Sequence, residues 1–284
     1  MGPGQQPFIG SEALAEGRLT RHALRTYYRP IFPGIYLDKR VQPSLQHRAV
    51  GAWLWSRREA VVAGAAASAL HGAKWVDDTT PIELIWGNAR APRGIVTRND
   101  RLLEGEIHRL RGIPVTTPER TAFDIGRRGL IGRAVARLDA LAAAVDFKVR
   151  DVEELAGNHR HTRGLRQLEK ALDLVDGGAQ SPKETWLRLL LIEAGFPKPR
   201  TQIPVLGPDG CPKYFLDMGW EDMMVAAEYD GEQHWTDPAQ HARDVDRQEY
   251  IAYVGWTNIR VVGRHRRDDV IRRVRQAWNA AKRR

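Results

Sequence analysis

The chain has 284 residues and a formal net charge of +9, long enough for more than one core. With 42% hydrophobic and 28% charged residues it has the composition of a folded protein and not of a disordered or fibrous one. Its single cysteine, Cys211, excludes an internal disulfide and a Cys-rich zinc site and fits a reducing, cytoplasmic setting.

The opening residues, MGPGQQ, hold neither a basic nor an apolar segment, so no secretion signal is expected. Ser11 and Thr20 are candidate caps for short helices over 12–15 and 21–27, with Gly17 between them. Pro30, Pro33 and Gly34 break the pattern, and Ile35, Tyr36 and Leu37 read as extended. Helix, turn, helix and ribbon over residues 1–44 form the layout of a winged helix-turn-helix. That layout puts Arg21, Arg25 and Arg29 on or near the second helix, where phosphate contacts are made. A solvated basic face on a packing domain accounts for the same residues equally well.

Residues 45–176 read as an α+β middle region, with helices over 46–55 and 60–70 and strands over 81–86 and 94–96. The 60–70 run is far shorter than the roughly 20 apolar residues of a membrane span, so no membrane partner is expected. Thr117 is a good N-cap with Pro118 at the first helical position and Arg120 in the first turn; a further helical stretch covers 131–145. His159 and His161 read as exposed loop residues, and His71 as a packing histidine. The segment holds no catalytic constellation.

After the joint Gly177, Gly178, Ala179, residues 180–284 read as a self-contained α/β unit: apolar helix, hairpin, polar loop, helix, strand and final helix. Ser181, Pro182 and Glu184 form a capping box, so the first role of Glu184 is to reach back to the Ser181 N–H. Strands over 213–220 and 223–231 flank the turn Glu221, Asp222. Alternation puts Glu228 and Asp230 on one face, and a hairpin folding about 222–223 sets Asp217 opposite Glu228. Three carboxylates in one patch repel unless a divalent cation or another partner offsets them. Residues 217–249 hold ten carboxylates against Arg243 and Arg247, whereas 264–284 hold nine basic and two acidic residues. The final helix is amphipathic, with Val270, Ile271, Val274, Ala277 and Trp278 inward and Arg272, Arg273 and Arg275 toward solvent or phosphate.

The ordered set Glu184; Asp217, Glu228, Asp230 and Gly231; His234; Arg243, Asp244 and Arg247; then Gly255, Trp256 and Arg260 resembles the Vsr-like branch of the PD-(D/E)XK nuclease superfamily. Upstream, A-S-A-L-H-G at 67–72 and G-I-P-V-T-T-P-E-R-T at 112–121 resemble AbiEi-type antitoxin-like proteins of actinobacteria, which begin with a winged helix-turn-helix and often carry this nuclease-like domain. The combined resemblance implies a multidomain α/β and α+β chain whose last domain is restriction-endonuclease-like with a central mixed sheet. It further implies that Asp217 and Glu228 hold Mg²⁺ or Mn²⁺, with Glu184 adding a ligand or a water-mediated contact. Asp230 stands where the superfamily usually has Lys, a departure the Vsr-like branch shares. His234, with His241 as the alternative, serves as acid, base or phosphate donor, and Arg247 supplies positive charge. Arg247 also reads as a plain ion pair with Asp244 or Glu249. Arg243, Arg272 and Arg273 join the first-domain arginines as DNA contacts. The expected function is a metal-dependent DNA endonuclease in repair or defence, acting on duplex or single-stranded DNA with a toxin-like or repair partner. The alternative is a DNA-binding regulator or antitoxin whose nuclease-like module does not cleave; an RNA-directed nuclease is a third reading.

Overall fold

The computed structural model describes residues 6–88, 90–231 and 238–283. The chain divides into two compact units, Met1–Asp173 and Leu174–Arg284.

The first unit begins with β1 (Phe8–Ile9), α1 (Gly10–Ala15), α2 (Arg21–Tyr27), β2 (Tyr28–Phe32) and β3 (Ile35–Asp38). The Thr20 hydroxyl accepts the Ala23 N–H at 3.1 Å and starts α2. Gly17 turns the chain between the helices at φ 67°, where a side chain is strained. The strands pair antiparallel in the order β1-β3-β2. So small a ribbon cannot bury its own apolar face. Phe32 and Ile35 instead enter one core with Leu45, Ala49, Val62, Ile82 and Val115. Residues 1–44 and the segment that follows thus belong to one compact unit, where the sequence reading takes them as two regions.

α3 (Leu45–Trp55) is closed by a Ser44–His47 capping box and leads into a five-stranded sheet in the order β6-β5-β4-β8-β7. Its strands are β4 (Val61–Ala63), β5 (Ile82–Ile85), β6 (Ile95–Arg98), β7 (Ile107–Leu110) and β8 (Ile113–Thr116), with α4 (Gly64–Leu70) after β4. The expected helix over 60–70 is thus a strand followed by a helix. Val61 and Val62 are β-branched and pair centrally in the sheet, and Gly64 at φ 60° breaks the chain into α4. α5 (Pro118–Gly126) starts as expected, with the Thr117 hydroxyl accepting the Arg120 N–H at 3.2 Å. α6 (Ile131–Ala144), α7 (Val149–Asn158) and α8 (Leu165–Leu174) follow.

Beneath α5 lies a buried ionic network. Arg120, 1% exposed, pairs with Glu106 and with Asp124 at 3.1 Å. Arg127 pairs with Asp124 at 2.8 Å and Asp100 at 2.7 Å. His159 Nε2 lies 2.6 Å from Glu106 Oε1, so this histidine is buried and partnered where an exposed loop residue is expected. His71 packs as expected, its Nε2 bonded to the Thr116 carbonyl at 2.7 Å.

The second unit contains α9 (Pro182–Glu193), β9 (Arg200–Leu206), β10 (Pro212–Trp220), β11 (Val225–Tyr229), α10 (Pro238–Tyr253), β12 (Thr257–Val261) and α11 (Arg267–Ala281). Its sheet has the order β12-β11-β10-β9 and is mixed, with β11 parallel to β12 and the other pairs antiparallel. Val225 and Ala227 join Leu187, Leu190, Val270 and Val274 in one core, while Ala226 joins Ile251 and Trp256 in another. Alternation along β11 therefore sends successive residues to α9 and α11 on one face and to α10 on the other. α11 turns Val270 and Val274 inward and leaves Arg272 and Arg275 exposed, in agreement with its amphipathic pattern.

Replacing Arg120 by Leu leaves Glu106 and Asp124 buried without their cation, and is expected to lower the unfolding free energy by about 3–5 kcal/mol. Urea unfolding followed by tryptophan fluorescence measures it; an unchanged midpoint rejects the network as a main support of the first unit.

Candidate functional site

Two surfaces carry the residues singled out by the sequence. On α2, Arg21, His22, Arg25 and Thr26 are exposed, while Leu24 is buried and holds the helix to the core. Lys39 Nζ donates to the carbonyls of Arg25 and Thr26, each at 2.8 Å, and so caps the C-terminal end of α2 with a cation. Arg29 lies on β2, not on α2, and its guanidinium donates to the Val41 carbonyl. It lies two residues past the end of α2, near that helix as expected, and ties the ribbon to the chain after it.

The second surface is the α10 face of the mixed sheet. Met218 faces Ala227, and the same register one step on sets Asp217 across from Glu228, as the hairpin geometry predicts. Asp217 Oδ2 accepts the Tyr229 N–H at 2.8 Å. Burial, then the negative charges of Glu184 and Glu228, push the Asp217 carboxyl up from 3.8 to about 7, against the pull of that N–H and of Arg247. Glu184 is buried at the start of α9: the Ser181 hydroxyl accepts its N–H at 3.2 Å, and its own carboxylate accepts the Gln180 N–H at 2.8 Å, one residue before the expected Ser181.

Glu228 is buried and held by a bidentate Arg247, whose second nitrogen also donates to the Phe215 carbonyl at 2.9 Å. Hydrogen bonding to Glu228 raises the Arg247 guanidinium further above its ordinary range. Arg247 therefore pairs across elements with Glu228 instead of along its helix with Asp244 or Glu249. Asp244 pairs with Arg260 at 2.6 Å, and the same Arg260 binds Asp230. The third carboxylate of the expected patch is thus neutralised separately. Asn258 donates to Glu228 and, at 3.2 Å, to Gln248. Neither amide stood out in the sequence; Asn258 lies two residues before Arg260 on β12, and strand alternation alone would have put it on this face.

Both Glu228 oxygens accept from Arg247, and among the described residues no group of three His, Cys, Asp or Glu side chains is placed to hold an ion. His234 lies outside the described residues. Arg243 is exposed on α10, Arg272 pairs with Asp269 at 2.8 Å, and Arg273 lies 3.3 Å from His265 Nδ1. The last two are partly occupied by local contacts and are not gathered around Asp217.

Because the folded carboxyl of Asp217 binds its proton more tightly than the usual 3.8, its contribution to stability is full below that value and is lost as pH rises through about 7. Asp217→Asn keeps an acceptor for Tyr229 and removes the charge, so it is expected to stabilise the protein at pH 8 by about 2 kcal/mol and to flatten the pH dependence between pH 5 and 8. Thermal unfolding across that range reads both effects; a variant less stable than the parent at pH 8 contradicts the charge crowding.

Compared with known proteins, residues 60–177 match the family of the AbiEi antitoxin C-terminal domain. The chain is 28% identical over 232 residues to uncharacterized proteins of Mycobacterium tuberculosis from strains CDC 1551 and H37Rv, a match covering 82% of this chain and 84% of each relative. No solved structure matches it significantly. In its middle portion, β4 to α8 and the buried Arg120 network, the chain is thus similar to the C-terminal domain of an antitoxin.

Proposed function

We propose that the protein is a DNA-binding regulator of the antitoxin type. The observation that carries this reading is the continuity of the first unit: helix, turn, helix and ribbon over β1 to β3 share one core, across α3, with the segment similar to an antitoxin domain. In that arrangement α2 is the helix offered to the major groove, and Arg21, His22 and Arg25 are the side chains on its open face. The capping of α2 by Lys39 keeps a further cation beside it for the phosphate backbone. An antitoxin acts against a toxin, so a protein partner belongs to the same reading.

Fluorescence anisotropy with a duplex spanning the DNA upstream of the protein's own coding sequence tests it. Arg25→Ala is expected to weaken binding on every sequence and to reduce the slope of log affinity against log salt by about one. Arg29→Ala is expected to leave that slope unchanged and to lower stability. Equal affinity and slope in Arg25→Ala and the parent rule out α2 as the DNA-facing helix.

A second reading, phosphodiester hydrolysis by the Vsr-like second unit, is favoured by one observation: Asp217 sits in excess negative charge from Glu184 and Glu228. Those three carboxylates offer the hard oxygen donors that Mg²⁺ or Mn²⁺ takes, provided Arg247 gives up Glu228. Supercoiled, linear and single-stranded DNA, and RNA, incubated with Mg²⁺, Mn²⁺ or EDTA decide it. Cleavage that requires the metal and disappears in both Asp217→Ala and Glu228→Ala supports hydrolysis; binding without cleavage in every condition leaves the regulator alone.

A further inference from the structure

In the first unit a cavity of about 310 Å³ lies against α6 and is lined by Arg133 and Arg137. The two residues are four apart on α6, so their side chains are neighbours and their charges repel. Arg137 Nη1 is buried with no hydrogen-bond partner, and Arg133 makes no side-chain hydrogen bond or ion pair among the described residues. Burial, and next the charge of Arg133, hold the Arg137 guanidinium below its ordinary range. The carboxylates in the wall relieve this only in part: the charge of Glu83 acts the other way but comes third, after burial and Arg133, and both wall carboxylates are engaged elsewhere. Glu83 pairs with Arg98 at 3.2 Å and lies 3.6 Å from Arg128; Asp124 belongs to the network of Arg120 and Arg127. Arg98 and Arg128, paired with those carboxylates, also line the wall, and its apolar part includes Val96 and Leu130, the latter 75% exposed.

We propose that this cavity binds a small phosphorylated ligand, with its phosphate between Arg133 and Arg137 and its body against Val96 and Leu130. A phosphomonoester dianion answers each feature. It supplies acceptors for the buried guanidinium nitrogen, offsets two repelling cations at once, and matches the planar donor fork of arginine. The volume is at the lower end for small-molecule pockets, which suits a ligand no larger than a mononucleotide. The site is separate from α2, so a small phosphorylated effector can bind without competing for the DNA-facing helix.

Isothermal titration of the full chain with adenosine monophosphate, inorganic phosphate and adenosine tests the proposal. Saturable binding of the monophosphate, weaker binding of phosphate and none of adenosine are expected. Arg137→Met is expected to weaken the monophosphate by at least about tenfold, a loss of the size of one charge-assisted hydrogen bond. Exposed Arg133→Met supplies a second variant should the first unfold, and the same loss is expected. Phosphate is also expected to raise the melting temperature of the parent and not of either variant. No saturable binding of monophosphate or phosphate at millimolar concentration overturns the proposal, as does equal binding by parent and variants. Reduced duplex affinity in Arg137→Met without monophosphate binding assigns the arginines to DNA phosphate instead, and overturns it too.

Discussion

Arg120 is held between Glu106 and Asp124 in the interior of the first unit, and the placement of α5 depends on that pairing. A guanidinium taken out of water is tolerable only when its donors are met and its charge offset. Meeting that demand draws in the loop between β6 and β7 through the Arg101 carbonyl and Glu106, and, through Glu106, His159 at the end of α7; Asp100 of the same loop holds the neighbouring Arg127. One buried cation thus ties together three segments that are distant in sequence. The portion of the chain similar to an antitoxin domain is the portion this network organises.

The second unit follows the same rule less completely. Glu228 has Arg247 and Asn258, and Asp230 and Asp244 share Arg260. Asp217 is buried, and burial first, then the charges of Glu184 and Glu228, retain its proton to near neutrality against the pull of one backbone N–H and of Arg247. In the first unit the imbalance has the opposite sign, where Arg133 and Arg137 crowd each other beside a cavity. Repulsion of this kind weakens folding and is relieved by whatever neutralises it, so unbalanced groups beside open space are where a bound molecule gains most. Paired groups, by contrast, explain shape. Asp230, Arg272 and Arg29 belong to that second kind, although their places in the sequence pattern made them candidates for chemistry.

What was legible in the sequence was local. The caps at Thr20, Thr117 and Ser181, the apolar stripe of α11 and the register that sets Asp217 across from Glu228 depend on neighbours a few residues away, or on the two-residue period of a strand. The helix expected over 60–70 failed in its first residues because pairing of Val61 and Val62 with two other strands outweighs the local preference of an alanine-rich run. The β7–β8 hairpin went unseen because Ile107, His108 and Arg109 are exposed and show no alternation. His159 read as a loop residue because its partner, Glu106, is 53 positions upstream.

The sequence by itself determined the caps of α2, α5 and α9, the hairpin register and mixed charge of the second unit and the basic surface of α2, because propensity, capping and alternation act over a few residues. Only the tertiary structure decided which charges are neutralised. Coulomb interactions and hydrogen bonds depend on distance in space, and the fold alone brings Arg247 to Glu228, Arg260 to Asp230 and Arg120 to Glu106 while leaving Asp217, Arg133 and Arg137 with charge to spare.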